Sequence, residues 1–356
     1  MKTSTGNRAL IEFIRSEIRN SGPVSFAWFM QQALYHPEHG YYSSGRCAIG
    51  RAGDYFTSVS VGPLFGQLLC RQFIEIWERL GKIDSFVVVE QGAHDGQFAR
   101  DVLQEARQRA PEFFEALHYR IIEPFRVLQE RQSQRLHEFG HKVEWQESLT
   151  PFEGVHFSNE LLDAMPVRLI SDHTETLVDL EGDRFVFVEC GVSEKTSGRQ
   201  TSAQQTAFNQ LMLEWLDDVA ANLRRGHVIA VDYGHLNTHL EANVQVRARH
   251  RFLSSPFEQI GRADITVHVD WPSVIDRANA NGLSLGGFTD QHHFLAGIIS
   301  SLGLPDTPKL TRELQTLLHP EMLGRAFQVL ALTKNIDRQA PPLAGFKFAR
   351  ELRCGT

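Results

Sequence analysis

The chain has 356 residues, of which 42% are apolar and 22% charged, and a formal net charge of −7. That length fits one or two domains at about 150 residues each. The acidic balance offers no basic footprint for nucleic acid, and no run of about 18 apolar residues predicts a membrane span.

Four cysteines (Cys47, Cys70, Cys190 and Cys354) show neither CxxC spacing nor a dense framework, so they read as free thiols of a reducing compartment. The N-terminal stretch carries Glu12, Arg15, Glu17 and Arg19 among apolar residues. It reads as an amphipathic helix rather than a signal peptide, and a cytoplasmic location is expected.

Helical periodicity runs over residues 7–36 and gives way to a long Gly-, Ser- and aromatic-rich loop over 36–58, a candidate lid. A helix over 62–80 presents Leu64, Phe65, Leu68, Leu69, Phe73, Ile76 and Trp77 on one face. From residue 85 strands and helices alternate. Strands are expected at 86–90, 118–123, 142–145, 155–160, 227–234 and 327–334, and a long helix over about 203–225. The continuous β-branched run FVVVE suits a parallel strand buried on both faces, and the βαβαβ repeat predicts a doubly wound α/β sheet.

Two stretches break the alternation. Residues 167–192 alternate apolar and polar around Glu181-Gly182-Asp183 and read as an inserted antiparallel hairpin. Residues 235–267 read as a loop bearing histidines and arginines. The organisation expected is an N-terminal helical and lid region over 1–80 and a core over 81–356, with cap segments inserted at about 167–200 and 235–267.

The chemistry concentrates at strand ends. After the first core strand comes Glu90-x-Gly92-x-x-x-Gly96; a dinucleotide fingerprint would need glycines where His94 and Gln97 stand. A carboxylate there suits a cationic ligand and would repel a pyrophosphate. The run matches the acidic first motif of S-adenosylmethionine-dependent methyltransferases, with an ordinary strand-to-helix turn as the bland alternative. Glu123, ending the second strand, can accept from two ribose hydroxyls. Trp145 with Gln146, Glu147 and Ser148 could meet an adenine after the third.

Asn159 and Glu160 stand at the tip of the fourth strand, although Asn159 could instead cap a following helix with Asp163 on its exposed face. His235 and His239, and the adjacent His292 and His293, lack HExxH spacing, so no metal is expected. Arg247, Arg249 and Arg251 with His250 form a small basic cluster, too short to point to nucleic acid.

Taken together, LYHPEHGYY, GDYFTS, VEQGAHDG, SNELLDAMPV, VIAVDYG, DITVHVDW, GGFTDQHHFL and MLGRAFQVLALTK resemble the MidA family of S-adenosylmethionine-dependent methyltransferases. Its mitochondrial members are protein-arginine methyltransferases needed for respiratory complex I assembly. His94 departs from the family's second glycine, and Val59-Ser60 from its usual Pro-Glu. The resemblance implies a class I methyltransferase-type, Rossmann-like fold with S-adenosylmethionine as cofactor.

It also implies roles. Gly53, Asp54, Thr57 and Ser58 would form a lid. Glu90, Gly92 and Gly96 would hold the methionine end of the cofactor, and Glu123 its ribose. Asn159, Glu160 and Asp163 would line the methyl-transfer site, with Asp232, His268 and Asp270 nearby. The expected partner is a protein substrate offering an arginine, neither nucleic acid nor a membrane is expected, and a homodimer stays open. The alternatives are a non-catalytic assembly factor on the same fold and a nicotinamide-dependent oxidoreductase, which the missing GxGxxG disfavours.

Overall fold

The computed structural model describes residues 5–45, 47, 57–171, 173–191, 205–236, 243–302, 307–337 and 339–349. Helix α1 (Arg8–Ser21) starts where Asn7 accepts hydrogen bonds from the Ala9 and Leu10 N–H groups. Ser21-Gly22-Pro23 ends it, because proline cannot continue the hydrogen-bond ladder. The periodic stretch over 7–36 is therefore two helices, the second being α2 (Phe26–Tyr35), capped by Ser25.

The elements that follow are α3 (Leu64–Arg79), β1 (Phe86–Gln91), α4 (Gln97–Arg109), β2 (Leu117–Ile122), α5 (Arg126–Arg135), β3 (Val143–Gln146) and β4 (Phe152–Asn159). After the inserted hairpin come α6 (Gln210–Asn222), β5 (Leu223–His235), α7 (Trp271–Ala280), β6 (Ser284–Asp290), α8 (Gln291–Ile299), α9 (Pro308–Leu318) and β7 (Phe327–Lys334).

These strands form one mixed sheet in the order β6-β7-β5-β4-β1-β2-β3. From β3 through β5 all pairs are parallel, whereas β7 runs antiparallel to both β5 and β6. Consecutive strands step outward one way from β1 to β3 and the other way from β4 to β5. With right-handed crossovers, that reversal sends helices to opposite faces, as the expected doubly wound fold requires. β6 was not legible because Gly286 and Gly287 lower strand propensity; the register shifts between Leu285 and Gly287, where glycine suits an irregular strand.

The chain divides into two compact units. One comprises Thr57–Leu161, Trp215–Gly234 and Ser273–Thr356; the other comprises Met1–Phe56, Leu162–Glu214 and His235–Pro272. The boundary thus falls at 56/57 rather than at residue 80, and aromatic packing explains why α3 belongs with the core. Phe157 of β4 is fully buried and stacks on Phe98 of α4 at 4.3 Å. Phe73 of α3 packs against both, at 5.9 Å and 6.4 Å.

In the other unit, α1, α2 and the inserted hairpin share a core that includes Leu10, Ile14, Phe29, Leu169, Val178 and Phe185. The hairpin pairs Thr174–Glu181 with Arg184–Gly191, as its alternation predicted. Residues 235–267, expected to be a loop, instead contain a small antiparallel sheet of Val244–Ala248, Arg251–Phe252 and Asp264–Val267. Its tight turn places Arg249 and His250 at φ of 50° and 58°. Asn-Gly usually marks such a turn, so an Arg-His turn carried no readable signal.

Phe157→Ala should cost about 3–5 kcal/mol, the usual range for emptying a buried aromatic site. Urea unfolding followed by circular dichroism measures it. A loss under about 1 kcal/mol, typical of a surface change, would show that the ring cluster does not hold α3 and α4 to the sheet.

Candidate active site

At the carboxyl end of β1 the chain turns through three left-handed residues: Gly92 at φ 82°, His94 at 45° and Gly96 at 81°. Glycine takes that conformation freely, whereas a residue with a Cβ is penalised by about 1–2 kcal/mol. His94 therefore keeps the backbone path of a glycine loop at the expense of strain. Asp95 braces the loop from outside, accepting from the Gln97 N–H at 3.2 Å and pairing with Arg135 at 2.7 Å.

Glu90 closes the buried part of β1. Only 3% exposed, it accepts a 2.7 Å hydrogen bond from the Tyr119 hydroxyl of β2. Burial pushes its carboxyl up to about 8; Tyr119 opposes the shift and the nearby Asp95 charge adds to it. Without a cation beside it, this group holds its proton at neutral pH.

Glu123 follows β2 and is also buried. Its Oε1 accepts from the Phe125 N–H at 3.0 Å, and its Oε2 from Gln132 Nε2 at 3.1 Å. Burial raises its pKa, with the Phe125 and Gln132 donors and the nearby His94 pulling the other way. Gln132, in α5, is wholly buried; it also donates to the His94 carbonyl at 2.9 Å and accepts from Trp145 Nε1 at 2.9 Å. Sequence reading missed Gln132, because nothing distinguishes it from the other glutamines of α5. Glu147 and Ser148, offered for the adenine, lie exposed at the bend after β3.

Asn159 and Glu160 sit across the strand-order reversal from β1. Glu160 is itself left-handed, at φ 53°. Its N–H donates to the Val231 carbonyl at 2.9 Å, and the next N–H, of Leu161, donates to Asp232 Oδ2 at 3.1 Å. Asp232, 1% exposed, also accepts from the Tyr233 N–H at 2.8 Å, so it pins this turn to β5. Asn159 Nδ2 donates to Glu160 Oε1 at 2.9 Å, which leaves Asn159 Oδ1 buried with no hydrogen-bond partner.

No helix follows, so Asn159 is not an N-cap; the chain makes a turn closed by the Met165 N–H on the Leu162 carbonyl at 3.2 Å. Nearby, His156 of β4 and Trp215 of α6 both meet Gln91 Oε1 of β1, and burial pushes the His156 imidazole down to about 3, neutral packing rather than acid–base machinery.

The other expected residues sort differently. Asp163, His268 and Asp270 belong to the other compact unit. There Asp163 is buried, and its carbonyl accepts from the Val267 N–H at 2.8 Å. Tyr35 donates to the Ala164 carbonyl at 3.2 Å and Tyr42 to Asp264 at 2.7 Å, so three of the sequence motifs interlock within that unit. Burial lowers the His268 pKa, and the neighbouring His235 and Arg247 lower it further.

Gly53 and Asp54 lie outside the described residues. Thr57 and Ser58, expected in a lid, have architectural roles here: Thr57 caps the short helix Ser58–Val61, and Ser58 Oγ donates to Gln291 at 2.8 Å. Among the described residues no group of three or more His, Cys, Asp or Glu is placed to hold a metal ion.

These features fit a sulfonium nucleoside: a glycine-like loop that admits close backbone approach, a buried carboxyl for a cation, and a second carboxyl for vicinal hydroxyls. The doubly wound sheet and the residues at its reversal suit an S-adenosylmethionine-dependent methyltransferase. The chain belongs to the family described as "Putative S-adenosyl-L-methionine-dependent methyltransferase", whose model matches residues 68–289.

A protein arginine methyltransferase NDUFAF7 homolog, mitochondrial, of Drosophila melanogaster is 25% identical across 97% of this chain and 90% of its own. The Bos taurus protein arginine methyltransferase NDUFAF7, mitochondrial, is 26% identical across 89% and 81%. A Burkholderia thailandensis protein crystallised with S-adenosyl-homocysteine superposes at a TM-score of 0.85, with 27% identity and 96% of each chain covered.

Glu90 generates a pH prediction. Its folded pKa of about 8 exceeds the ordinary 4.5, so the folded state holds a proton that the unfolded chain gives up. Its contribution to stability is thus complete below the lower value and is lost as pH rises through the upper one. Glu90→Gln should melt close to wild type at about pH 5 and above it at about pH 9. Parallel melting curves at both ends of that range would overturn the assignment.

Proposed function

We propose that this methyltransferase modifies an arginine side chain of a protein. The observation that carries the reading is the tip of β4, where Asn159 Nδ2 donates to the Glu160 carboxylate and Asn159 Oδ1 is buried with no hydrogen-bond partner. A guanidinium presents several N–H donors in one rigid plane, a match for adjacent acceptors that a compact ammonium does not reproduce. The relatives named as protein arginine methyltransferases support the same acceptor. In this reading Glu160 is the carboxylate that meets the guanidinium. Cys70 and Cys190, which form no disulfide among the described residues, suit the cytoplasm we propose, although the relatives carry mitochondrial names.

When bound, S-adenosylmethionine supplies a methyl group on a positively charged sulfur. Glu160 and Asn159 orient the guanidinium so that one nitrogen points at that carbon, and alignment of this kind can lower a barrier by up to about 7–11 kcal/mol. The guanidinium nitrogen that accepts the methyl would give up one proton, which Glu160 would take up and pass to water. Asp232 holds the turn that aims Glu160.

The test supplies labelled S-adenosylmethionine to lysate of a strain lacking this protein, adds wild type or Glu160→Gln, and separates protein, RNA and small-molecule fractions. Label should appear in protein, on arginine by mass spectrometry, and fall by about 100-fold or more with the variant. The variant should still bind S-adenosylhomocysteine. Label confined to RNA or metabolites overturns the acceptor; undiminished transfer by Glu160→Gln overturns the residue.

A further inference from the structure

We propose that Gln132 is a positioning residue for the cofactor, one buried amide that sets the glycine loop, the ribose carboxylate and the adenine-side tryptophan relative to one another. The inference rests on the assignment of Glu123 to the ribose. Its side-chain amide makes three hydrogen bonds, each to a different cofactor-facing segment. Nε2 donates to the His94 carbonyl at 2.9 Å and to Glu123 Oε2 at 3.1 Å, and Oε1 accepts from Trp145 Nε1 at 2.9 Å.

The donor and acceptor sense is dictated by the partners. A carbonyl and a carboxylate can only accept and an indole can only donate, so the amide has one orientation and no other side chain of this length serves all three. The bond to His94 has a specific task. His94 is strained in the left-handed region, and a strained residue persists only where its surroundings over-determine it. Gln132 anchors its carbonyl, while Asp95, tied to Arg135, braces the far side. Gln132 also packs beneath Gly96, where a Cβ would lie 3.5 Å from the Gln132 Cα.

At the Glu123 end, burial raises the carboxyl's pKa and the amide donor is one of the groups that oppose that shift. The other groups acting on it are the Phe125 N–H and His94.

Calorimetric titration of the full chain with S-adenosylhomocysteine, alongside melting curves, tests this with three variants. Gln132→Met keeps the shape and removes every hydrogen bond; it should weaken Kd by about 10- to 100-fold while the protein stays folded. Gln132→Glu keeps the acceptor for Trp145 but sets two carboxyls side by side, a pair that shares one proton and repels once it is lost. Its affinity should fall as pH rises from about 6 to about 9, by about tenfold or more, a trend absent from wild type.

Glu123→Gln tests the underlying assignment and should itself weaken binding. Wild-type Kd in a folded Gln132→Met protein, or a flat pH profile for Gln132→Glu, overturns the positioning role even if Glu123→Gln binds poorly. Unchanged binding by Glu123→Gln overturns the ribose assignment and the inference with it. Should Gln132→Met fail to fold, the pH profile of Gln132→Glu decides.

Discussion

Parallel pairing of β1 with β4, whose onward connections leave in opposite directions, opens a crevice at their carboxyl ends that no crossover covers. The candidate site of the core unit depends on that reversal. It puts the Glu90–Gly96 loop on one side and the Asn159–Glu160 turn on the other. The aromatic stack of Phe157, Phe98 and Phe73 lies in the same unit and ties β4, α4 and α3 together.

Two strained residues flank this crevice. His94 and Glu160 occupy left-handed backbone on opposite sides of the reversal, each at a penalty of about 1–2 kcal/mol. Both are held by hydrogen bonds from neighbouring elements: Gln132 holds His94, and Val231 with Asp232 holds Glu160 and Leu161. Buried carboxyls add to the tension. Burial raises the Glu90 carboxyl to about 8, with the Tyr119 hydroxyl opposing the shift and Asp95 adding to it.

The second unit is organised by aromatic hydroxyls. Tyr35 and Tyr42 stack at 5.6 Å and hand their hydrogen bonds to the Ala164 carbonyl and to Asp264. Three motifs far apart in sequence become one structural knot within that unit. Several of the residues that carried the family resemblance thus meet within this unit, whereas Glu90, Glu123, Asn159 and Glu160 belong to the core unit.

Sequence by itself determined the strand run FVVVE, the glycine loop after it, Glu123 one strand later and the SNELLDAMPV tip, because each is a local pattern of burial, turn chemistry or charge. The doubly wound fold and the cofactor class followed from them. Only the tertiary structure decided the rest. It turned residues 244–267 into a small sheet, since pairing partners lie far apart along the chain and an Arg-His turn leaves no signature. It gave Thr57 and Ser58 to a helix cap and a core hydrogen bond, and freed Asn159 from capping. It also chose Gln132 from a helix with several glutamines, because only packing reveals which amide faces a carboxylate, a carbonyl and an indole at once.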